Sequence, residues 1–225
     1  MSKGKGVLTE FQKEILSVFG QIPESNFFYL TGGTALSEFY LGHRFSFDLD
    51  FFTSEKEVIL PFAGIIEEEF KKKGFPVKVI RRFNTSVEFI VSKDDESAKI
   101  HLSLESPFKF ERPIDTEFGV KVNSYRDIII DKFLTVFGRT EPRDAVDLFF
   151  ILKKEDFWKL AELASKKDPG FDLYWMAIAL EKVKNFPDEI ERWPVQMIAK
   201  VKATEIKEKF LSLANEILKK IKTKK

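Results

Sequence analysis

Two aspartates, Asp48 and Asp50, stand two residues apart inside the apolar run Phe47-Asp48-Leu49-Asp50-Phe51-Phe52. In an extended strand, residues i and i+2 share one face, with Cα atoms about 6.5–7 Å apart. Two carboxylates held that way repel each other, and burying them without a cation is costly. A divalent ion removes the conflict, because Mg²⁺ binds carboxylate oxygens at about 2.0–2.1 Å and completes its shell with water and substrate phosphates. The solvent-facing side of an edge strand would show the same spacing. Upstream, Gly32-Gly33-Thr34 interrupts another apolar run. Glycine permits a tight turn and a close approach of backbone to ligand. A helix starting there would aim N–H groups at a phosphate, and Thr34 would cap it or add a hydroxyl donor. A plain strand–helix turn reads alike. Taken together, the two features put a phosphate cradle and a pair of metal ligands at neighbouring element ends.

A second cluster, Asp131-Lys132, Arg139, Arg143-Asp144 and Asp147-Leu148, falls within a short stretch downstream. Asp144 and Asp147 are i,i+3 and share a helical face. Lys132 can neutralise a triphosphate as a point charge, although an ordinary ion-pair network between two helices needs the same residues. Arg44 precedes the acid run and is placed either for a phosphate contact or as a surface arginine. The two histidines, His43 and His101, are too far apart in sequence for a zinc pattern.

The elements that must position these groups follow from periodicity. Thr9-Glu10-Phe11-Gln12 reads as a capping box opening a helix with the stripe Phe11, Ile15, Val18 and Phe19. Residues 27–30 read as a buried strand, 35–41 as a helix ending near Gly42, and 45–52 as an alternating strand with Phe47, Leu49 and Phe51 on one face. A helix over 55–73 stops at Gly74. Strands are expected over 77–82, 86–91 and 98–104, with a turn at 94–97, and 107–119 is irregular. The last strand has the polar face Lys99, His101, Ser103 and Glu105. From Ser124 the pattern is helical: 124–137, 142–152 opened by Pro142, 155–167, 172–184 and 195–222. The expected architecture is α+β, a small mixed sheet with flanking helices over 1–120 followed by a C-terminal helical domain over 121–225.

The composition excludes more than it selects. With 44% hydrophobic and 32% charged residues, the 225-residue chain is neither disordered nor collagen-like. Twenty-five phenylalanines predict an aromatic core. A net charge of +1 points to no particular partner, so any nucleic-acid role must rest on a local patch. Zero cysteines exclude disulfides, thiolate metal sites and a cysteine nucleophile. No apolar run approaches the ~20 residues that cross a bilayer, and residues 1–6 lack a signal core. The expected location is cytoplasmic. The lysine-rich end after Lys200 carries Ile206, Phe210, Leu213 and Ile217 at helical spacing, so it reads as a docked helix with a solvated lysine face rather than an RNA surface.

Gly-Gly, a spacer and Asp-x-Asp resemble the signature of the DNA polymerase β-like nucleotidyltransferase superfamily. More closely, Leu30-Thr31-Gly32-Gly33-Thr34-Ala35-Leu36, Leu41-Gly42-His43-Arg44, Ser46 and Asp48-Leu49-Asp50-Phe51-Phe52 are similar to the AbiEii/AbiGii toxin family, and Lys132, Arg139, Arg143, Asp144 and Asp147 occupy the places of its later helical motif. The resemblance implies the nucleotidyltransferase fold and transfer of a nucleotidyl group from a nucleoside triphosphate. Mg²⁺ or Mn²⁺ would be held by Asp48 and Asp50. Gly32, Gly33, Thr34, Arg44 and Lys132 would hold the nucleotide, and Asp144 or Asp147 would complete the catalytic set. It also implies an RNA acceptor such as tRNA, and an antitoxin protein as partner. One departure stands out. Catalytic relatives place a third carboxylate on a later strand, where this chain has His101, so His101 or Glu105 must substitute. Otherwise the protein is a nucleotide-binding or interaction module without transfer.

Overall fold

The computed structural model describes residues 2–223. The chain divides into two compact units, Met1–Tyr125 and Arg126–Lys225.

The first unit is built on a seven-stranded mixed sheet. Its strands are β1 (Tyr29–Thr31), β2 (Leu49–Thr53), β3 (Val77–Phe83), β4 (Ser86–Lys93), β5 (Glu96–Leu104), β6 (Ile114–Asp115) and β7 (Lys121–Val122), in the order β3-β4-β5-β2-β1-β7-β6. The β2–β5 and β1–β7 pairs are parallel and the rest antiparallel. Helices α1 (Glu10–Gly20) and α3 (Ile59–Lys72) contribute their apolar stripes to the core. The sheet contributes Leu49, Phe51, Val87, Phe89, Val91, Ile100 and Leu102, all 0% exposed. The expected aromatic core is present: Phe19 stacks on Phe51 at 3.7 Å and meets Phe62 edge-on at 5.0 Å. Burying each such ring stabilises the fold by about 1.5–3 kcal/mol. Because strand side chains alternate, the opposite face of β4, β5 and β2 carries Glu88, Lys99, His101 and Asp50.

Some expected boundaries move. The alternation over 45–52 forms a strand only from Leu49, and Phe45 and Phe47 are 39% and 48% exposed, so Phe47 does not share the buried face of Leu49 and Phe51. Strand β1 is shifted to Tyr29–Thr31, with Phe27 exposed in a preceding 3₁₀ turn. The region read as irregular supplies β6. Two-residue strands are too short to show a period, and their pairing is set by neighbours rather than by local pattern.

After β1 the chain makes one α-helical turn, α2 (Gly32–Ala35), and continues as π-helix over Leu36–Leu41. This stretch carries Glu38, 1% exposed, whose carboxylate accepts from the backbone N–H groups of Val7 (2.6 Å), Leu8 (3.0 Å) and Gly6 (3.2 Å). The acid thereby fastens the segment preceding α1, whose start is fixed by the capping box of Thr9 and Gln12. Replacing Glu38 by alanine leaves buried N–H donors without an acceptor. Each charge-assisted bond contributes about 1.5–3 kcal/mol, so Glu38→Ala is expected to lower unfolding free energy by about 3 kcal/mol, read from urea midpoints.

The second unit is helical: α4 (Tyr125–Gly138), which begins at the unit boundary, α5 (Pro142–Ile151), α6 (Phe157–Lys167), α7 (Leu173–Glu181) and α8 (Ala203–Lys222). Pro142 opens α5 as expected, and the side chains of Asp156 and Asp172 cap α6 and α7. The final helix begins eight residues later than its pattern suggested, and buries Ile206, Phe210, Leu213 and Ile217; Lys209, Lys219, Lys220 and Lys222 face outward, whereas Lys207 folds back onto the Phe186 carbonyl and Asp188. No helix among the described residues is long and apolar enough to cross a membrane.

Candidate functional site

Four strands align a row of side chains on the open face of the sheet. Thr31 of β1 is in register with Asp50 of β2, Asp50 with His101 of β5, and His101 with Glu88 of β4. Asp50 Oδ1 lies 3.6 Å from His101 Nδ1. Asp48 immediately precedes β2, half-buried like Asp50, with the buried Leu49 between them.

The glycine turn closes against this row. Gly32 has φ +72°, a left-handed conformation that disfavours other residues, and a Cβ there would collide with the Asp50 carboxylate. A Cβ on Gly33 would fall 2.5 Å from Arg44 Nη2 and 2.9 Å from Ser46 Oγ. The acid strand, a guanidinium and a hydroxyl thus converge on two positions without side chains, Gly32 half-buried and Gly33 buried. Arg44 is 5% exposed, and its Nη1 donates to the Phe45 carbonyl at 3.0 Å. Gln12 Nε2 donates to the carbonyls of Ser46 (3.0 Å) and Phe47 (3.1 Å), pinning the approach to Asp48.

The structure bears on two expectations about the turn. Thr34 is 2% exposed and its hydroxyl donates to the Asp48 carbonyl, so it ties the turn to the acid strand instead of presenting a donor to a ligand. The helix that starts here runs on as π-helix to Leu41, so its aligned peptide dipoles and Arg44 both place positive charge at the turn. His43 is 1% exposed, with Nδ1 3.5 Å from Ser37 Oγ, and is a packed residue.

Glu88 and Lys99 join the charged row. Lys99 Nζ lies 2.6 Å from Glu88 Oε1. Its ammonium is held above the usual lysine range, first by that hydrogen bond and then, against desolvation, by Asp48, Glu88 and Asp50. Glu88 is correspondingly held below the usual range, chiefly by Lys99, with Arg81 and His101 contributing. Glu88 escaped the sequence reading. The signal was present: it is the polar residue between the buried Val87 and Phe89, and counting back from the two-residue turn Asp94-Asp95 sets it opposite His101. Glu105, considered as a substitute acid, follows β5 beside Thr53 at the other end of β2 and pairs with Lys109. Four residues past His101, it is about 13 Å further along the strand.

Asp48 and Asp50 suit a hard divalent ion: oxygen donors, half-open to solvent, with the Asp50 carboxylate lying against a glycine that has no side chain to displace it. No three His, Asp or Glu side chains among the described residues enclose a cation by themselves. That agrees with Mg²⁺-type ions, which keep several water or phosphate ligands.

The second unit separates its two aspartates. Asp147, 0% exposed, pairs with Lys132 Nζ at 2.7 Å. Asp144, 1% exposed, receives Arg139 Nε at 3.3 Å on Oδ2, while Oδ1 has no hydrogen-bond partner. Burial holds the Asp144 carboxyl above the usual range, against the pull of Lys132 and Arg139 and with Asp147 adding to the rise. Arg143 pairs with Glu141 at 3.0 Å, and Asp131 with Lys167 of α6. A raised carboxyl pKa means the folded state binds the proton more tightly, so stability falls as pH rises from the ordinary carboxylate value through the folded one. The difference in stability between Asp144→Asn and the parent is therefore expected to shift in favour of the variant across that window and to level off above it, as urea titrations at about pH 4–7 would read.

An acid strand beside a glycine turn in a mixed sheet is the arrangement of a nucleotidyltransferase fold. Solved structures share the fold. JHP933 from Helicobacter pylori matches with TM-score 0.57 at 20% identity, over 99% of this chain and 96% of that one. MenT4, a nucleotidyltransferase toxin of Mycobacterium tuberculosis H37Rv, matches with TM-score 0.60 at 20% identity, over 91% and 82%. An uncharacterised protein of Aquifex aeolicus (strain VF5) is 29% identical over 188 residues, 82% of this chain and 85% of its own. Residues 14–207 match the family described as nucleotidyl transferase AbiEii toxin, type IV TA system, and the chain belongs to that family. It is a nucleotidyltransferase, and membership implies a nucleoside triphosphate substrate and, generally, a divalent metal ion.

Proposed function

We propose that this protein transfers a nucleotidyl group from a nucleoside triphosphate to a hydroxyl of an RNA acceptor such as tRNA, with Mg²⁺ or Mn²⁺ as cofactor, as the toxin of a pair that includes an antitoxin protein. The observation that carries this reading is the packing of Asp50 against Gly32, with Arg44 and Ser46 over Gly33.

In the proposed reaction the acceptor oxygen attacks the α-phosphorus and a new O–P bond forms. The α–β anhydride bond breaks, pyrophosphate leaves with the electron pair, and the hydroxyl proton passes to solvent. When bound, divalent cations polarise the α-phosphate and stabilise the leaving group. Asp48 and Asp50 hold the cation. Gly32 and Gly33 allow the β- and γ-phosphates to reach the backbone, where Arg44 supplies charge and Ser46 a hydroxyl. Thr34 keeps the turn locked to the acid strand. Lys132 is assigned to phosphate charge, and Asp144, with its unpartnered oxygen, is favoured over Asp147 as the further acid. Incubation with each α-labelled triphosphate and total RNA tests the reading: label in RNA is expected, whereas binding without transfer would make the chain a nucleotide-binding module.

A further inference from the structure

We propose that His101 is a nitrogen ligand of the cation site, which therefore prefers Mn²⁺ to Mg²⁺; this rests on the assignment of Asp48 and Asp50 as cation ligands. The register places His101 directly across from Asp50 on adjacent parallel strands, with Nδ1 and Oδ1 3.6 Å apart. As they stand, no three His, Asp or Glu side chains among the described residues enclose a cation; two donors about 2.1 Å from one ion and at right angles to each other lie about 3 Å apart, so Asp50 and His101 must close by roughly half an ångström to share one shell. Both side chains are open enough to admit an ion, 33% exposed for His101 and 29% for Asp50. The imidazole is braced edge-on by Phe52, at 6.2 Å and 90°, from the strand that carries Asp50. On its other side Glu88 is the cross-strand neighbour, its carboxylate engaged by Lys99.

The donor set shifts the balance between the two ions. Carboxylate and water suit Mg²⁺ and Mn²⁺ alike, whereas an added imidazole favours a first-row transition ion, of which Mn²⁺ is the one that shares the carboxylate-rich, six-fold shell of Mg²⁺. The sequence has two histidines. The other, His43, is 1% exposed and beside Ser37, so an imidazole signal on a bound ion reports His101.

The test uses the full chain without an affinity tag, titrated with Mn²⁺ and examined by pulsed electron paramagnetic resonance, with Mg²⁺ as competitor. Wild type is expected to show the ¹⁴N coupling of a directly bound imidazole and a Kd for Mn²⁺ at least about tenfold below that for Mg²⁺. In His101→Asp the nitrogen coupling should vanish and the two affinities should draw within about threefold. His101→Asn, close in size and lacking the imidazole, provides the same spectroscopic readout if the aspartate variant folds poorly. Bound Mn²⁺ without ¹⁴N coupling, or a metal preference unchanged by either substitution, overturns the inference while leaving the carboxylate assignment intact. Mn²⁺ binding that survives Asp50→Asn and Asp48→Asn overturns both.

Discussion

Asp50→Asn is expected to reduce nucleotidyl transfer by on the order of 10³-fold or more while leaving the protein folded. The variant keeps the shape of the side chain and removes the charge that would hold the cation. Asp50 is 29% exposed and its neighbours Leu49 and Phe51 are fully buried, so the strand keeps its core anchors whichever group projects from the open face. The measurement is single-turnover transfer of labelled nucleotide to RNA, with circular dichroism and a melting curve as controls. Residual transfer within tenfold of wild type, in a folded variant, would remove Asp50 from the reaction. Gly32 cannot serve as an equivalent probe: a side chain there would both strain the positive φ and push the Asp50 carboxylate aside, so loss of activity would have two causes.

This part of the candidate site was legible in the sequence because its residues are local. Gly32, Gly33, Asp48 and Asp50 lie within one strand–turn–helix–strand unit, and the i,i+2 rule applies wherever the backbone is extended. Arg44 was placed near it by the same locality. What stayed hidden depends on partners distant in sequence. Glu88 belongs to the row through two strand registers: the turn at Asp94-Asp95 sets it opposite His101, but the parallel β5–β2 register that brings both to Asp50 has no local signal. Thr34 looked like a ligand donor because its hydroxyl follows two glycines, yet the Asp48 carbonyl claims it. Glu38 is one acid among many in composition, and only the fold reveals that three backbone N–H groups of residues 6–8 converge on it. Short strands such as β6 and β7 exist because an established edge recruits them, so periodicity had nothing to report.

For Lys132 the question is whether it serves phosphate or simply pairs with Asp147, and stability can be separated from activity to answer it. Lys132→Ala strips a fully buried carboxylate of the ammonium 2.7 Å away. Breaking one side of a buried pair costs about 3–5 kcal/mol, whereas replacing both partners with apolar groups of similar volume is often nearly neutral. Lys132→Ala alone is therefore expected to lower the urea midpoint sharply, by an amount equivalent to about 3 kcal/mol or more. Lys132→Met combined with Asp147→Leu is expected to recover most of that loss, to within about 1–2 kcal/mol of the parent. If Lys132 neutralises nucleotide phosphates, the refolded double variant still transfers poorly, with a raised KM for the triphosphate that tracks the missing charge. If the lysine only balances Asp147, transfer returns along with stability. Asp144 supplies the internal contrast, since one of its oxygens already lacks a partner: Asp144→Asn leaves the Lys132–Asp147 pair in place, so any loss of transfer there is traced to Asp144 and its own contact with Arg139, not to Lys132.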